Sequence, residues 1–478
     1  MHVVKTVLIV LEVLLLFNLL IFVHELGHFL AARWRGLKVE RFAVWFGKPI
    51  WKTKYNGVEY VLGCIPAGGY VSLPQMAPME MIEGQADDGE KKEPLPPITP
   101  MDKIIVAFAG PLFSFALAVV FALIVWVVGK PVDADKTTTI GWVDMNGPAW
   151  KSGLRPGDRI LEVDNQPVSQ FAPPAQDSVT WRIIASEGTN IPIKYVRDGQ
   201  ELMAYPVPKR RDTKWYERRA MRQILVAPAH EAFIHDVATN SPAAVAGLQR
   251  GDKVVAVNGE KMHSVLSILH LEESMTNAGI AAKPVTLTVV RGSNQFDKTL
   301  LAKKPRKPAA GTPSLGVLAW LTSTNATKMD HPSPGAQIES SVSQIVGTLR
   351  VLVSRKSDVG VQQLGGAVMI IRVYKNLFEN ENGWRLVLWF SVIMNVNLAL
   401  LNLLPLPVLD GGHITLALIE MIRRRPVSGK ILNYIQSGFA LALITFMVYI
   451  AFFDTGDWVR SSRREAREEQ TPVFAPEK

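Results

Sequence analysis

Two histidines and a glutamate fall within five residues, His24-Glu25-Leu26-Gly27-His28. On a helix, residues four apart lie roughly 40° apart around the axis, so both imidazoles point the same way. Two neutral imidazoles on one face can hold a zinc ion. Glu25 flanks that face and is placed to take a proton from a water beside such an ion. The chemistry this spacing suits is hydrolysis. The setting is unusual: Val7–Val23 is almost wholly apolar, with Glu12 and Asn18 the strongly polar exceptions. In a soluble helix two histidines could be incidental. Ionisable groups are costly in hydrocarbon and mark function when they occur there.

A catalytic zinc takes three protein ligands and a water, so a third ligand must come from elsewhere. Cys64 is the only cysteine, which excludes a cysteine-rich zinc site and an internal disulfide framework. The stretch Asn395–His413, NVNLALLNLLPLPVLDGGH, offers Asp410 and His413. Pro405, Pro407, Gly411 and Gly412 should break the helix near the end of a span. Broken backbone at that depth is tolerated where it is buried in protein or lines a wet cavity. Asp410 is the favoured third ligand. His413 competes, but reads rather as a neighbouring or solvent-facing residue.

These residues must be positioned by membrane helices. Four segments are apolar and long enough to cross about 30 Å of hydrocarbon: about Val4–Ala32, Ile104–Val128, Leu386–Leu409 and Ile431–Phe453. The first is too long for a signal peptide, shows no small-residue cleavage site and contains the motif. The 478 residues carry a net charge of +9, and part of that excess sits beside membrane segments rather than forming a nucleic-acid surface. Arg33, Arg35, Lys38 and Arg41 follow the first span; Arg423, Arg424, Arg425 and Lys430 follow the third. Both loops are therefore expected in the cytoplasm, with the large region between spans two and three outside. Arg460, Arg463, Arg464 and Arg467 after the fourth span run against that assignment.

Between spans one and two, Val39–Leu73 has β-branched and aromatic runs broken by Asn56-Gly57, a hairpin signal. A β-hairpin or small sheet is expected beside the motif, with an edge able to pair with an extended peptide. Pro74–Pro100 reads as a flexible loop. Between spans two and three the chain repeats itself. Gly147–Asp164 recurs as Ser241–Asn258, matching at Pro148/Pro242, Gly153/Gly247, Leu154/Leu248, Gly157/Gly251 and Asp158/Asp252. Each copy is followed by a turn, a helix-like stretch and strands such as Ile191–Arg197 and Val285–Arg291. This repeat resembles the PDZ domain, a small β-rich module whose groove takes a peptide strand or C-terminus. Leu301–Pro334 should link the second module to the membrane, Ala336–Val353 is expected as an amphipathic helix near the bilayer surface, and Gly365–Tyr374 as a second short one.

HELGH in the first span, with N-x-x-P-x-x-x-x-D-G from Asn402 to Gly411 in a later one and two PDZ-like blocks between, resembles the site-2 protease family of intramembrane metalloproteases. The resemblance covers nearly the whole chain. It implies zinc ligands His24, His28 and Asp410, Glu25 as general base, and Asn402 helping to hold the substrate backbone. It implies that the hairpin ending Gly68-Gly69-Tyr70 presents a strand edge to the substrate. One departure stands out: where the family often has Asn a few residues after Ala109-Gly110-Pro111, this chain has Ser114.

The expected architecture is a polytopic α-helical membrane protein with four transmembrane helices, a membrane-associated β-hairpin region and two tandem PDZ domains. The boundaries read as 1–34 for the first span, 35–100 for the β-region and loop, 101–130 for span two, 133–210 and 225–305 for the modules, 306–383 for linker and amphipathic helices, 384–412 for span three, 431–454 for span four, and 455–478 for a tail. The implied activity is zinc-dependent cleavage of the membrane segments of single-span proteins already trimmed outside, such as an anti-sigma factor, and of leftover signal peptides. That is regulated proteolysis in a bacterial inner membrane, with the modules periplasmic. Implied partners are those substrates, the lipid bilayer and peptide ligands of the modules, and no nucleic acid. The rivals are a non-catalytic PDZ scaffold, which the intact Glu25 and Asp410 disfavour, and a zinc transporter, which four spans without pseudo-symmetric halves disfavour.

Overall fold

The computed structural model describes residues 2–76, 98–132, 136–172, 175–277, 284–307, 313–322, 328–354, 357–380, 382–425, 427, 429–468 and 472–475. The chain divides into two compact units: Met1–Pro131 with Met329–Ile345 and Gly365–Asp454, and Val132–Lys328 with Val346–Leu364 and Thr455–Lys478. Most of the loop expected over Pro74–Pro100 lies outside the described residues.

The first unit is helical. Among the described residues, four stretches are long and apolar enough to cross a membrane: Leu11–Trp34, Pro100–Val128, Gly383–Asn402 and Leu432–Arg463. They lie in the helices His2–Trp34, Pro100–Val128, Gly383–Asn402 and Gly429–Glu468. The second begins at a capping box in which the Thr99 side chain accepts from Asp102 N–H and the Asp102 carboxylate accepts from Thr99 N–H. The third span differs from expectation. Its helix stops at Asn402, short of Leu409, because Pro405 and Pro407 lack the N–H a continuing helix needs. A new helix, Asp410–Arg423, starts at Asp410 itself. Gly411 and Gly412 do not break a helix. They let its first turn press on the preceding loop, where a Cβ at Gly411 would sit 2.2 Å from the Leu403 carbonyl oxygen.

Two strands, β1 (Arg41–Tyr55) and β2 (Val58–Ser72), pair antiparallel across Asn56-Gly57, both of which have positive φ. The sheet is more folded than a plain hairpin. Arg41 pairs with both Glu59 and Ser72, and Val44 with both Leu62 and Gly69. Arg41–Val44 is thus covered on both sides by β2, and Gly69–Val71 pair there with Phe42–Val44. The sheet packs on the end of the first span through Phe42, Val71 and Leu73 against Ala32 and Phe29. The helix Ala367–Glu379 extends past the stretch expected to lie near the surface. It buries Tyr374 completely, with Ile9 and Val13 of the first helix and Val387 of the third span in the same cluster.

The second unit holds two β-rich modules with the same element order. The matched blocks form the short helices Pro148–Lys151 and Pro242–Val245, the strands Arg159–Val163 and Lys253–Val257, the helices Val179–Ala185 and Leu266–Asn277, and the strands Ile193–Arg197 and Pro284–Arg291. The likeness reaches single atoms. Asp158, 1% exposed, accepts from Arg197 Nε at 2.7 Å and from Arg155 N–H; Asp252, 0% exposed, accepts from Arg291 Nε at 2.6 Å and from Gln249 N–H. Each module reaches past the boundary read from sequence. Strand Val226–Pro228 pairs with Ile140–Val143, and Ile224 lies in the first core. Strand Val317–Leu321 pairs with Ala232–Val237, and Leu315 lies in the second. Near the C-terminus, Val473 exchanges backbone hydrogen bonds with Lys307, and Phe474 is buried against the second module near Gly316.

Candidate metal centre

The helix places His24 and His28 one turn apart, both buried, with their Nε2 atoms 3.3 Å apart. Asp410 arrives from the first turn of the helix Asp410–Arg423. Its Oδ2 is 3.2 Å from His24 Nε2 and its Oδ1 is 3.4 Å from His28 Nε2. The three ligand atoms lie within 4.8 Å of one another, the one such group of three or more among the described residues. His413, also buried, is not in it.

Each imidazole is turned by its other nitrogen. His24 Nδ1 lies 3.0 Å from Ser114 Oγ, and His28 Nδ1 lies 2.8 Å from the Val106 carbonyl oxygen. Since Val106 offers only an acceptor, His28 donates from Nδ1, and in the neutral ring the lone pair is then on Nε2, toward Asp410. Both partners belong to the second span, which crosses the first at close range. A Cβ on Gly27 would meet the Ala109 carbonyl oxygen at 2.4 Å, and one on Gly110 would meet His28 Nε2 at 2.2 Å. Gly27 lets the helices touch, and Gly110 leaves room for the imidazoles.

This arrangement fits a divalent cation. Two imidazole nitrogens and a carboxylate converge on one buried point, and Asp410 Oδ2, fully buried, has no hydrogen-bond partner of good geometry. A bare cluster of acceptors in an apolar interior is costly unless a cation joins it. Zinc takes this donor set.

Glu25 is half-buried and follows His24 directly on the same helix. Its Cγ lies 3.2 Å from where a Cβ on Gly69 would stand. β2 therefore passes directly beside the candidate base. Asn402, read as a substrate-holding residue, has its Nδ2 3.3 Å from His24 Nε2 at the edge of the cluster. Ser114 and Val106 are the residues sequence reading did not place. Ser114 stands out in the sequence only as a departure from the family pattern, and a backbone carbonyl leaves no trace in residue type.

Several proteases resemble this chain over nearly its whole length. A protease, RseP, of Yersinia pestis is 27% identical over 91% of this chain and 96% of its own length. A regulator of sigma-E protease from Salmonella typhimurium is 26% identical over 91% of this chain and 96% of its own. A Vibrio cholerae protein named as a candidate zinc metalloprotease is 27% identical over 91% of this chain and 96% of its own. The model of peptidase family M50 matches residues 12–446, from the first span through His24, Glu25, His28 and Asp410 into the fourth, and by that match the chain belongs to peptidase family M50.

Proposed function

We propose that this protein is an intramembrane zinc metalloprotease that cuts the membrane segments of single-span proteins. The observation that carries the reading is the buried convergence of His24, His28 and Asp410 beside Glu25, on a helix apolar enough to span a bilayer. Zinc held by those three residues supplies a Lewis acid for the scissile carbonyl and lowers the pKa of water. Glu25 takes the water proton on its carboxylate and delivers it to the leaving amine nitrogen. Ser114 and Val106 fix the two ring orientations. Asn402, at the rim, has one amide hydrogen turned to His24 Nε2 and a second to give to a substrate carbonyl.

A peptide bond inside a membrane helix is hydrogen-bonded and shielded, so the substrate must be unwound before it is cut. The Gly69–Val71 edge of β2 is the natural place to hold it as an added strand. That edge passes the Glu25 side chain, which would bring an added strand to the chemistry.

The two modules act as PDZ domains, and their role is to filter substrates by size more than to capture C-termini. In the second module the Leu315 N–H, two residues before the edge strand Val317–Leu321, is already given to Glu272 Oε1 at 2.7 Å. Burial pushes the Glu272 carboxyl above its ordinary value. The protein sits in a bacterial inner membrane with both modules periplasmic. The Salmonella relative's name concerns sigma-E regulation; by that likeness the substrate is a trimmed anti-sigma factor and the setting an envelope stress response. Leftover signal peptides are a second substrate class.

The test is cleavage of a tagged single-span protein by purified enzyme, wild type beside Glu25→Gln. Cleavage by the first and none by the second supports the reading. No cleavage of any single-span substrate by zinc-loaded wild type would leave the scaffold as the better account.

A further inference from the structure

We propose that the loop Lys209–Gln223, between the two modules, is a membrane anchor whose aromatic tip, Trp215 and Tyr216, sits in the lipid headgroup layer. The base of the loop is closed by reciprocal backbone hydrogen bonds between Lys209 and Gln223, both 2.8 Å. From Lys209 to Arg222 it carries seven Lys or Arg and two acidic residues. Trp215 is 86% exposed, the most exposed large apolar side chain among the described residues. Tyr216 lies edge-on to it at 5.6 Å, and Lys214 Nζ lies 5.7 Å from the Tyr216 ring. Arg211, Lys214 and Arg219 are exposed around this tip. A tryptophan and a tyrosine held out among cations match the composition of a membrane–water interface, where amphipathic rings sit at headgroup level and cations meet anionic phosphates.

The C-terminal arm of the loop is pinned in place. Arg218 Nε is 2.5 Å from Asp457 Oδ2, and Arg218 Nη1 donates to the Leu364 carbonyl oxygen at 2.9 Å. Arg222 donates to Asp358 through Nε and Nη2 at 2.8 and 2.6 Å. Asp457 lies on the continuous helix Gly429–Glu468, which contains the fourth span. Asp457 stands near the C-terminal end of the candidate span Leu432–Arg463. Trp215 is three residues from Arg218 and therefore within about 10 Å of it. The lipid surface is the occupant this charge calls for, since anionic headgroups complement seven cations set against two acidic residues.

The test uses the full chain in vesicles of phosphatidylethanolamine and phosphatidylglycerol, in a Cys64→Ser background. A nitroxide is attached at Trp215→Cys and, with the tryptophan kept, at Thr213→Cys. Gln295→Cys, an exposed position on the strand Asn294–Leu301 of the second module, is the water-facing control. Power saturation should give a ratio of oxygen to nickel-chelate accessibility at least twofold above the control at both loop sites. Reversing charge at Arg211, Lys214 and Arg219 together should bring that ratio back toward the control. A ratio equal to that of Gln295 at both loop sites overturns the proposal and assigns the tip to water or to a protein partner. A raised ratio that survives the charge reversal overturns the electrostatic part.

Discussion

Ser114 Oγ, on the second span, lies 3.0 Å from His24 Nδ1, on the first, and both side chains are buried. The contact turns the His24 ring so that Nε2 faces Asp410. A hydroxyl can donate or accept here, so it holds the ring without dictating its tautomer. Such outer partners of a metal-binding histidine typically matter about 10–100-fold in metal affinity or activity.

Ser114→Ala should therefore weaken zinc retention by about tenfold or more. Ser114→Asn, which restores an amide able to reach Nδ1, should recover most of it. The measurement is zinc release to a chelator, followed without substrate. Equal release rates in wild type and Ser114→Ala would show that the contact positions nothing.

Glu25→Gln keeps the shape of the side chain and loses the base. Cleavage should fall by about a hundredfold or more, in the range of general base removal, with zinc content unchanged. Near wild-type cleavage by the purified variant would remove Glu25 from the proton-transfer role.

Asp410 and His413 are both buried, but only Asp410 joins the cluster with His24 and His28. Asp410→Ala should lose zinc and activity together, while His413→Ala keeps most of both. Metal analysis of the two variants decides the matter, and the reverse pattern would transfer the ligand role to His413.

The β2 edge gives a steric prediction. Gly69→Val should push the Glu25 stem and crowd the edge, because a Cβ there already sits 3.2 Å from Glu25 Cγ and 3.1 Å from the Ala43 carbonyl oxygen. Cleavage should drop with zinc retained. Val71 is 2% exposed and packs in the sheet core, so proline there would also cost stability; Tyr70→Pro, at a half-buried position, tests strand addition more cleanly. If neither variant nor a proline scan from Tyr60 to Leu73 alters cleavage, the substrate is not held on this edge.

The size filter is tested by excision. The strands Lys130–Val132 and Lys328–Asp330 pair with one another, so a short turn can join them after removal of the residues between. The excised enzyme should cut an untrimmed substrate that the intact enzyme rejects. Should it stay folded and zinc-loaded yet still reject that substrate, the modules are receptors.

Local pattern carried much of this protein. The four-residue spacing of His24 and His28 fixed their common face, because the helical period does so wherever the helix forms. Asn56-Gly57 announced its turn, since positive φ at both positions suits few other pairs. The module repeat was readable as matched positions along one line. The sequence also carried Asp410 as a candidate, but only as one of two. What it left open are relations between residues far apart in the chain. Packing of the second span against the first brings Ser114 to His24 and the Val106 carbonyl to His28. Gly110 matters through the imidazoles opposite it, and Arg197 and Arg291 through Asp158 and Asp252. The doubling of β2 around Arg41–Val44 depends on register between strands, which no single strand encodes. Periodicity and turn chemistry are properties of neighbours in sequence. Ligand closure, ring orientation and edge exposure are properties of neighbours in space, so only the tertiary fold decides them.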